Sequence, residues 1–375
     1  MTESPTVVVA PDSFKGSATA AAIARAIGDG WASVRPGDRV LRVPMADGGE
    51  GTLDAFELAV PGSSRVPVVV QGPVGRPVST SWLLLPPSDE LPGGVGVVEL
   101  AATSGITLLD EPAPLDAHTF GFGQAIADAL DHHVSRLLLA IGGSASTDGG
   151  VGALAALGAR FADAQGRPIR LGNRGLGSLA RVDLGALRGL PDGGADILSD
   201  VTHPLLGPHG AASVFGPQKG ADDAQVIGLE SGLARLERLM RSAQPDVRAA
   251  TPGAGAAGGT GFGLLAWGAG LAPGAEAVGS AVGLPTIVAE ADIVVTGEGR
   301  YDSQSAAGKV PTYVAGLARS AGARAMLVAG TIDAADIPFD EVVSLVELAG
   351  GAADAMAHPL TWARAAGAQL ARRIR

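Results

Sequence analysis

Three lysines in the sequence are candidates for binding anions, because each one adjoins a glycine in a stretch with the composition of a loop. Among 27 lysine and arginine residues, only Lys15, Lys219 and Lys309 are lysine, in the stretches FKG, QKG and GKV. The lysine ammonium is a compact point charge, whereas the arginine guanidinium is a planar fork. Arginine is the general cation of this chain, so lysine at these positions indicates contacts that need a point charge. The alternative is that arginine replaced lysine along the chain by neutral drift and that these three lysines remain by chance.

Three loops share one design, in which a buried strand is followed by glycines and polar residues and then by a helix. They are VVVAPDSFKGS (7–17), LLLAIGGSASTDGG (137–150) and IVVTGEGRYDS (293–303). In open α/β sheets, ligands bind beyond the carboxyl ends of the strands. Glycines let backbone N–H groups approach an anion, and a following helix N-terminus adds a favourable dipole. The three loops together predict an anion or phosphate site, although glycine-rich turns also serve as plain connections.

A fourth loop, PMADGGEGT (44–52), supplies carboxylates after the strand-like stretch DRVLRV. Asp47 and Glu50 flank two glycines there. Such carboxylates either hold Mg²⁺ through water or accept a proton from a substrate hydroxyl. Asp and Gly are also ordinary turn residues, so a turn with a helix cap explains the stretch equally well. Asp200, and Glu298 with Asp302, are further carboxylates at predicted strand ends.

Several function classes are excluded or disfavoured by composition and motif context. The chain has no cysteine, which excludes thiolate zinc sites and cysteine nucleophiles. Its net charge of −11 and the lack of a basic block argue against a nucleic-acid partner. The P-loop pattern is absent, and the dinucleotide pattern GAGAAG (253–258) follows a proline rather than a strand. The six histidines show no metal-ligand spacing.

Alternating strand and helix patterns predict an α/β protein with parallel-sheet, Rossmann- or flavodoxin-like character. Strands are predicted at 6–10, 135–142, 291–297 and 323–330, and a helix is predicted with Ala20, Ile23, Ala24, Ile27 and Trp31 on one face. The stretch from about 66 to 100 is β-branched and rich in Pro and Gly, which predicts antiparallel strands. We therefore predict one domain from both chain ends, 1–66 plus 288–375, and an inserted second α/β domain, 67–287.

The expected location is the cytoplasm, because the sequence carries neither a signal peptide nor a membrane span. The N-terminus lacks a basic region, and its apolar run is only TVVVA (6–10). No apolar run approaches the roughly 18 to 20 residues that cross a bilayer.

Taken together, the loops resemble those of the bacterial glycerate kinase family, in its glycerate 2-kinase type. The motifs that carry the resemblance are, in chain order, APDSFKGS, PMADGGEGT, ELAATSG, IGGSASTDGG, ALGARF, VFGPQKGA and VVTGEGRYDSQSAAGKVP. The resemblance runs from about residue 7 to at least residue 330. The chain departs from the family pattern at His203, where Asn is usual, and at Phe122 and Gln124, where Thr and Glu are usual.

The resemblance implies two α/β domains with the active site in the cleft between them, a fold unrelated to Walker-A kinases. It implies transfer of the γ-phosphoryl group of ATP to D-glycerate with Mg²⁺, giving 2-phosphoglycerate. The expected partners are small molecules only, with no nucleic acid or membrane, and the chain is expected to act as a monomer or homodimer. The alternatives are a kinase for another small hydroxy acid, a 3-phosphate-forming kinase, and a non-catalytic sensor of nucleotide or phosphorylated metabolite.

Roles for the candidate residues follow from the physics of phosphoryl transfer, in which most of the catalysis is positioning and charge neutralisation. Asp47 is predicted to be the base near the glycerate hydroxyl, and Lys15 with Ser13 to contact phosphate or the substrate carboxylate. Asp200 or Glu298 is predicted to hold Mg²⁺, and Arg300 and Lys309 to neutralise charge. The remaining predicted substrate- or phosphate-binding residues are Gly48, Gly49, Glu50, Gly142, Gly143, Ser144, Thr147 and Lys219.

Overall fold

The chain folds into two compact units, each with its own sheet, in a computed structural model that describes residues 4–302, 309–334 and 337–374. The first unit is drawn from residues 1–47, 54–60 and 273–375. The second unit is drawn from residues 48–53 and 61–272. The predicted α/β class is confirmed, because helices accompany a mainly parallel sheet in each unit.

The described strands are β1 (Thr6–Val9), β2 (Arg39–Arg42), β3 (Ser64–Gln71), β4 (Pro77–Leu85), β5 (Val95–Glu99), β6 (Arg136–Ala140), β7 (Arg160–Ala162), β8 (Arg181–Asp183), β9 (Ala195–Leu198), β10 (Gly270–Ala272), β11 (Ile293–Tyr301), β12 (Arg324–Ile332) and β13 (Glu341–Ser344). The described α-helices are α1 (Ala20–Val34), α2 (Thr52–Ala59), α3 (Ala101–Ser104), α4 (Phe120–Asp131), α5 (Val151–Ala156), α6 (Asn173–Leu176), α7 (Ala211–Phe215), α8 (Asp223–Ala243), α9 (Ala256–Trp267), α10 (Gly274–Ala281), α11 (Leu284–Val288), α12 (Val310–Ala321), α13 (Leu345–Ala349), α14 (Ala352–Ala357) and α15 (Pro359–Arg373). Short 3₁₀ turns cover Ile106–Leu108 and Pro217–Lys219.

The first unit is built on a parallel sheet in the order β13-β12-β11-β1-β2. β1 lies inside this sheet, where Val8 is in register with Val294 of β11 and Leu41 of β2. A parallel strand between two neighbours is buried on both faces, which explains why TVVV is a continuous apolar run without alternation. The strands predicted around 6–10, 291–297 and 323–330 are confirmed as β1, β11 and β12.

Helix α1 covers one face of this sheet, and the local sequence determines where it starts and which face it buries. Thr19 caps its N-terminus, with the side-chain oxygen accepting a hydrogen bond from the Ala22 N–H at 3.3 Å. The predicted apolar face is confirmed for Ile23, Ala24, Ile27 and Trp31, which are buried. Gly30 lets α15 approach closely, because a Cβ at this position would overlap the carbonyl of Arg364.

The second unit contains a mixed sheet in the order β10-β9-β6-β5-β4-β3 and a small antiparallel pair, β7-β8. The predicted antiparallel strands between about 66 and 100 are confirmed, since β3 pairs with β4 and β4 with β5 in this sense. β5, β6, β9 and β10 run parallel to one another. The core around this sheet includes Trp82, Phe122, Leu137, Leu139 and Phe262.

In both units the predicted functional loops leave the carboxyl ends of parallel strands, where ligands bind in open α/β sheets. Among the described residues, no helix combines the length and apolarity that crossing a bilayer requires.

Candidate active site

In the first unit, Lys15 and Asp47 form an ion pair at the carboxyl edge of the sheet. Lys15 Nζ lies 2.9 Å from Asp47 Oδ2. The turn after β1 places the lysine: Gly16 has φ +77°, and the Phe14 N–H donates to the Ala18 carbonyl at 2.9 Å. The lysine side chain is 54% exposed and the carboxylate 13% exposed. The sequence analysis placed both residues in the site, and the structure brings them into direct contact.

Asp12 is a site residue that the sequence analysis missed. It lies three residues beyond the end of β1 and is 3% exposed, with its backbone N–H donating to the Gly297 carbonyl at 2.8 Å. Burial raises the pKa of Asp12 well above its usual range, and the nearby carboxylates of Asp47 and Glu298 raise it further, while Lys15 opposes them. The signal was available, because a polar residue at the end of the buried run TVVVA must lie at the carboxyl edge of the sheet.

We call Asp12, Asp47 and Glu298, together with Lys15, the Lys15 cluster. Glu298 is 6% exposed and lies on β11, the neighbour of β1. The carboxylates, Asp47 foremost, raise the pKa of Lys15 above its usual range. Lys15 therefore stays fully charged at physiological pH, and the cluster carries three carboxyl groups against one ammonium.

A pocket of about 360 Å³ opens beside the Lys15 cluster within the first unit. Arg300, on β11, lines it and pairs with Asp333 at 3.0 Å. Lys309, the residue before α12, lines it too. The Ser13 hydroxyl oxygen is buried and has no hydrogen-bond partner among the residues that the structure describes. A buried hydroxyl that lacks a hydrogen-bond partner in the wall of a pocket is suited to donate a hydrogen bond to a ligand oxygen.

In the second unit, the loop of residues 142–150, which we call the glycine loop, connects β6 to α5. It packs directly against the turn that contains Gly48 and Gly49. The Gly142 N–H donates to the Gly48 carbonyl at 3.0 Å, and a Cβ on Gly142 would lie only 2.6 Å from the Gly49 Cα. Gly143 has φ +74°, a conformation that favours glycine. The glycines are thus required for the close approach of two predicted phosphate-binding segments.

Lys219 lies beneath the glycine loop rather than on the surface. It is 5% exposed, and its Nζ donates to Ser144 Oγ at 2.8 Å and to the Ser146 carbonyl at 2.5 Å. Burial lowers the pKa of Lys219 to about 7, although the negative charge of Asp148 acts in the opposite direction. Lys219 therefore holds the glycine loop in place through buried hydrogen bonds, and its charge changes near neutral pH.

The rest of the glycine loop is held by buried hydrogen bonds. Thr147 is 1% exposed, and its hydroxyl donates to the Pro114 carbonyl at 2.5 Å. Asp148, another residue that the sequence analysis missed, accepts hydrogen bonds from the backbone N–H groups of Thr119, Gly150 and Gly152. The loop therefore has a fixed shape before any ligand arrives.

The GAGAAG stretch supports the same loop. A Cβ on Gly258 would overlap the Ser146 carbonyl and lie 2.8 Å from the Thr147 Cα. The Gly149 N–H donates to the Gly258 carbonyl at 3.1 Å. The glycines of this pattern therefore serve close backbone packing at the glycine loop.

The remaining predicted residues lie at the ends of strands or in turns of the second unit. Glu50 is exposed, and Asp200 is half-buried just beyond β9. The residues that depart from the family pattern have structural partners. Phe122 is fully buried in the core, Gln124 accepts a hydrogen bond from the Gln71 N–H at 2.7 Å, and a ring nitrogen of His203 lies 2.9 Å from the His209 carbonyl oxygen.

No three His, Asp or Glu side chains within residues 4–302, 309–334 and 337–374 are grouped so as to hold a metal ion by themselves. Mg²⁺ in phosphoryl-transfer sites is usually bound by one or two carboxylates together with substrate phosphates and water. A closed protein cage is therefore not the arrangement to expect here.

Comparison with known proteins points to one family. Residues 7–375 match the glycerate kinase family. The chain is 40% identical to the glycerate 2-kinase of Escherichia coli K12, covering 87% of this chain and 85% of that protein. It is 41% identical to the glycerate kinase of Bacillus subtilis 168, with 87% and 85% covered. A crystal structure described as glycerate kinase 2 of Salmonella typhimurium LT2 superimposes with a TM-score of 0.79, at 36% identity over 98% of each chain.

Proposed function

The chain belongs to the glycerate kinase family, and from this premise we propose that it transfers the γ-phosphoryl group of ATP to D-glycerate, giving 2-phosphoglycerate and ADP. The observation that carries the proposal is the Lys15 cluster, where a charged lysine is hydrogen-bonded to Asp47 beside a pocket. An ammonium next to carboxylates supplies both requirements of a hydroxyl-directed kinase, a cation for phosphate oxygens and an acceptor for the hydroxyl proton.

In this proposal, Asp47 is the base for the glycerate hydroxyl. Its hydrogen bond to Lys15 fixes the orientation of the carboxylate, which is the main contribution that a protein makes to proton transfer. Lys15 contacts the transferred phosphoryl group or the glycerate carboxylate as a point charge. Ser13 donates its buried hydroxyl to a ligand oxygen, and Arg300 and Lys309 add positive charge along the same pocket.

The carboxylates of the Lys15 cluster fit the Mg²⁺ that ATP-dependent phosphoryl transfer employs. Burial, and after it the negative charges of Asp47 and Glu298, raise the pKa of Asp12, and a cation bound beside these groups would favour the charged carboxylate. We propose that Glu298 and Asp12 hold this ion, which supplies neutralisation of charge on the phosphate oxygens. Asp200, in the second unit, stays the alternative to Glu298 that the sequence predicts.

The glycine loop is proposed to bind substrate oxygens through backbone N–H groups at Gly143 and Ser144, whereas the Gly142 N–H holds the turn at Gly48. Lys219 places positive charge directly behind it. The turn of Gly48, Gly49 and Glu50 borders the loop, and Thr147 keeps its shape through the bond to Pro114. Backbone N–H groups in a rigid loop stabilise anions because they need no reorganisation when the ligand binds.

We further propose a cytoplasmic enzyme that acts as a monomer or homodimer on small-molecule substrates, without nucleic-acid or membrane partners. The chain as a whole carries a net charge of −11, so the positive charge that receives an anionic ligand must be local. A small anionic ligand fits such a local positive charge.

An assay coupled through enolase tests the reaction, because enolase acts on 2-phosphoglycerate. ATP consumption is expected only with D-glycerate and a divalent ion. Turnover that appears only after addition of a phosphoglycerate mutase would identify the 3-phosphate as product. A panel of other small hydroxy acids tests the next alternative, and ligand binding without any ATP consumption would identify a sensor.

A further inference from the structure

The pocket of the first unit has two chemically different ends. One end is charged and includes the buried hydroxyl of Ser13. Its charged lining residues are the cations Lys15, Arg300 and Lys309 and the carboxylates Asp12, Glu298 and Asp302. The other end is apolar and comes from the segment that contains α13, α14 and the start of α15. Its lining residues include Leu345, Val346, Ala355, Met356 and Pro359.

The apolar end is incompletely covered. Met356 is 67% exposed although it lines a concave surface, whereas Leu345 and Ala355 beside it are 1% and 6% exposed. A single exposed methionine is unremarkable by itself. At the rim of a pocket with further apolar lining, however, it provides a flexible and polarisable surface that adapts to a flat ring.

Glycerate does not explain this end of the pocket. Each of its three carbons bears a hydroxyl or carboxylate oxygen, so the molecule has no apolar face to place against Val346 or Met356. ATP joins a polyanion to a planar aromatic base through a ribose. A pocket with charged residues of both signs at one end and apolar walls at the other matches this pattern when the phosphates carry a divalent cation, since the cations then face phosphate oxygens and the carboxylates face the metal ion. Its volume of about 360 Å³ is in the range typical of ligand sites.

We propose that this pocket is the nucleotide site, with the adenine ring of ATP against Val346 and Met356 and the phosphates toward Lys15, Arg300 and Ser13. The inference rests on the proposed function in that it takes ATP as the phosphoryl donor. It adds which unit receives the nucleotide and which residues recognise the base.

The test substitutes polar side chains of similar length for two apolar ones, in the variants Met356→Gln and Val346→Thr. The matched control is Leu58→Gln on α2, an exposed residue of the same unit that is 64% exposed and does not line the pocket. Each pocket variant should raise the KM for ATP about fivefold or more, with kcat and the KM for glycerate unchanged. Leu58→Gln should match the wild type in all three.

Binding is measured separately by calorimetry with adenosine, which lacks phosphates, and with a non-hydrolysable ATP analogue. Adenosine should bind the wild type and compete with the analogue, and both pocket variants should weaken it. An increase in the KM for glycerate at unchanged KM for ATP, or adenosine binding that Met356→Gln and Val346→Thr leave intact, would overturn the inference.

These outcomes separate the inference from the proposed reaction. If the protein binds adenosine in a Met356-dependent manner but does not phosphorylate glycerate, the nucleotide site stands and the reaction is wrong. If glycerate is phosphorylated while adenosine binding ignores both substitutions, the reaction stands and the assignment of the pocket is wrong.

Discussion

Lys15 and Lys219 share a local sequence signature, a lysine followed by glycine in a polar turn, yet the fold gives them opposite environments. Lys15 is 54% exposed and lies 2.9 Å from a carboxylate oxygen of Asp47. Lys219 is 5% exposed, and its hydrogen-bond acceptors are the neutral oxygens of Ser144 and Ser146. The pKa of the first lysine is raised by its carboxylate neighbours, whereas burial lowers that of the second to about 7.

The difference shows that a carboxylate partner and desolvation act in opposite directions on the same ammonium group. Lys15 keeps its charge over the whole physiological pH range and is suited to permanent contact with phosphate. Lys219 changes charge within that range, so the electrostatic field behind the glycine loop depends on pH. Substitutions at Asp47 and at the two lysines should separate these two roles.

The largest effect is expected when the carboxylate partner of Lys15 loses its charge. Asp47→Asn keeps the shape of the side chain but removes the proposed base, and a positioned base contributes about 10²- to 10⁴-fold to kcat. Steady-state kinetics should show this loss while the affinity for a non-hydrolysable ATP analogue changes little. Asp29→Asn, at a surface ion pair with Arg42, is the matched control and should leave kcat unchanged. At least half of normal kcat in Asp47→Asn would leave Asp47 with a structural role only.

Lys15 itself should not tolerate arginine. The guanidinium is longer and planar, so it cannot replace an ammonium that approaches an oxygen end-on. Lys15→Arg should lower kcat/KM more than about tenfold, nearly as much as Lys15→Ala, while the melting temperature barely moves because the side chain is exposed. Arg25→Lys on α1 is the control and should change neither quantity. Full activity of Lys15→Arg would mean that Lys15 is only a surface cation.

Much of the fold could be predicted because local patterns decide it. Runs such as TVVV and RLLLA are too short and too continuously apolar for surface helices, and they form β1 and β6 in the sheet interiors. The position of the candidate-site loops could be predicted in the same way, because a glycine-rich stretch after a buried parallel strand must lie at the carboxyl end of that strand.

The environments inside the site could not be predicted, because they depend on segments that are distant in sequence. The pKa of Asp12 is raised by its burial and, in addition, by Asp47 from another strand end and Glu298 from β11. Nothing in PQKG indicates that Lys219 is buried, and its burial results from packing beneath the glycine loop. The sequence likewise offers Thr147 as a phosphate ligand, but only the fold shows its hydroxyl donating to Pro114.

The charge of Lys219 should appear in the pH dependence of catalysis. Positive charge behind the glycine loop favours anion binding, and this charge is lost as the pH rises through about 7, the pKa of Lys219. The wild-type KM for the substrate that the loop contacts should therefore rise between about pH 6 and 8.5. In Lys219→Met, kcat/KM should fall roughly three- to tenfold at pH 6 and the rise in KM should be missing. A variant whose pH profile is superimposable on that of the wild type would contradict this role.

The smallest expected effect is on stability, and its sign follows from linkage. The pKa of Lys219 is about 7 in the folded protein and near its ordinary value of 10.5 in the unfolded chain. Between these two values the unfolded state binds more protons, so this lysine makes the free energy of unfolding increase with pH, by at most about 1.4 kcal/mol per pH unit. Lys219→Met lacks the group and should lack this increase, so the wild type should gain stability relative to the variant between pH 7 and pH 9.5. Urea denaturation of both proteins at pH 6, 8 and 9.5 measures the difference. Lys15→Met serves as the comparison, because the pKa of Lys15 is raised rather than lowered and no such gain is expected in this window. A wild-type advantage over Lys219→Met that stays constant from pH 6 to 9.5 would mean that Lys219 keeps an ordinary pKa, and the contrast between the two lysines would then be one of exposure alone.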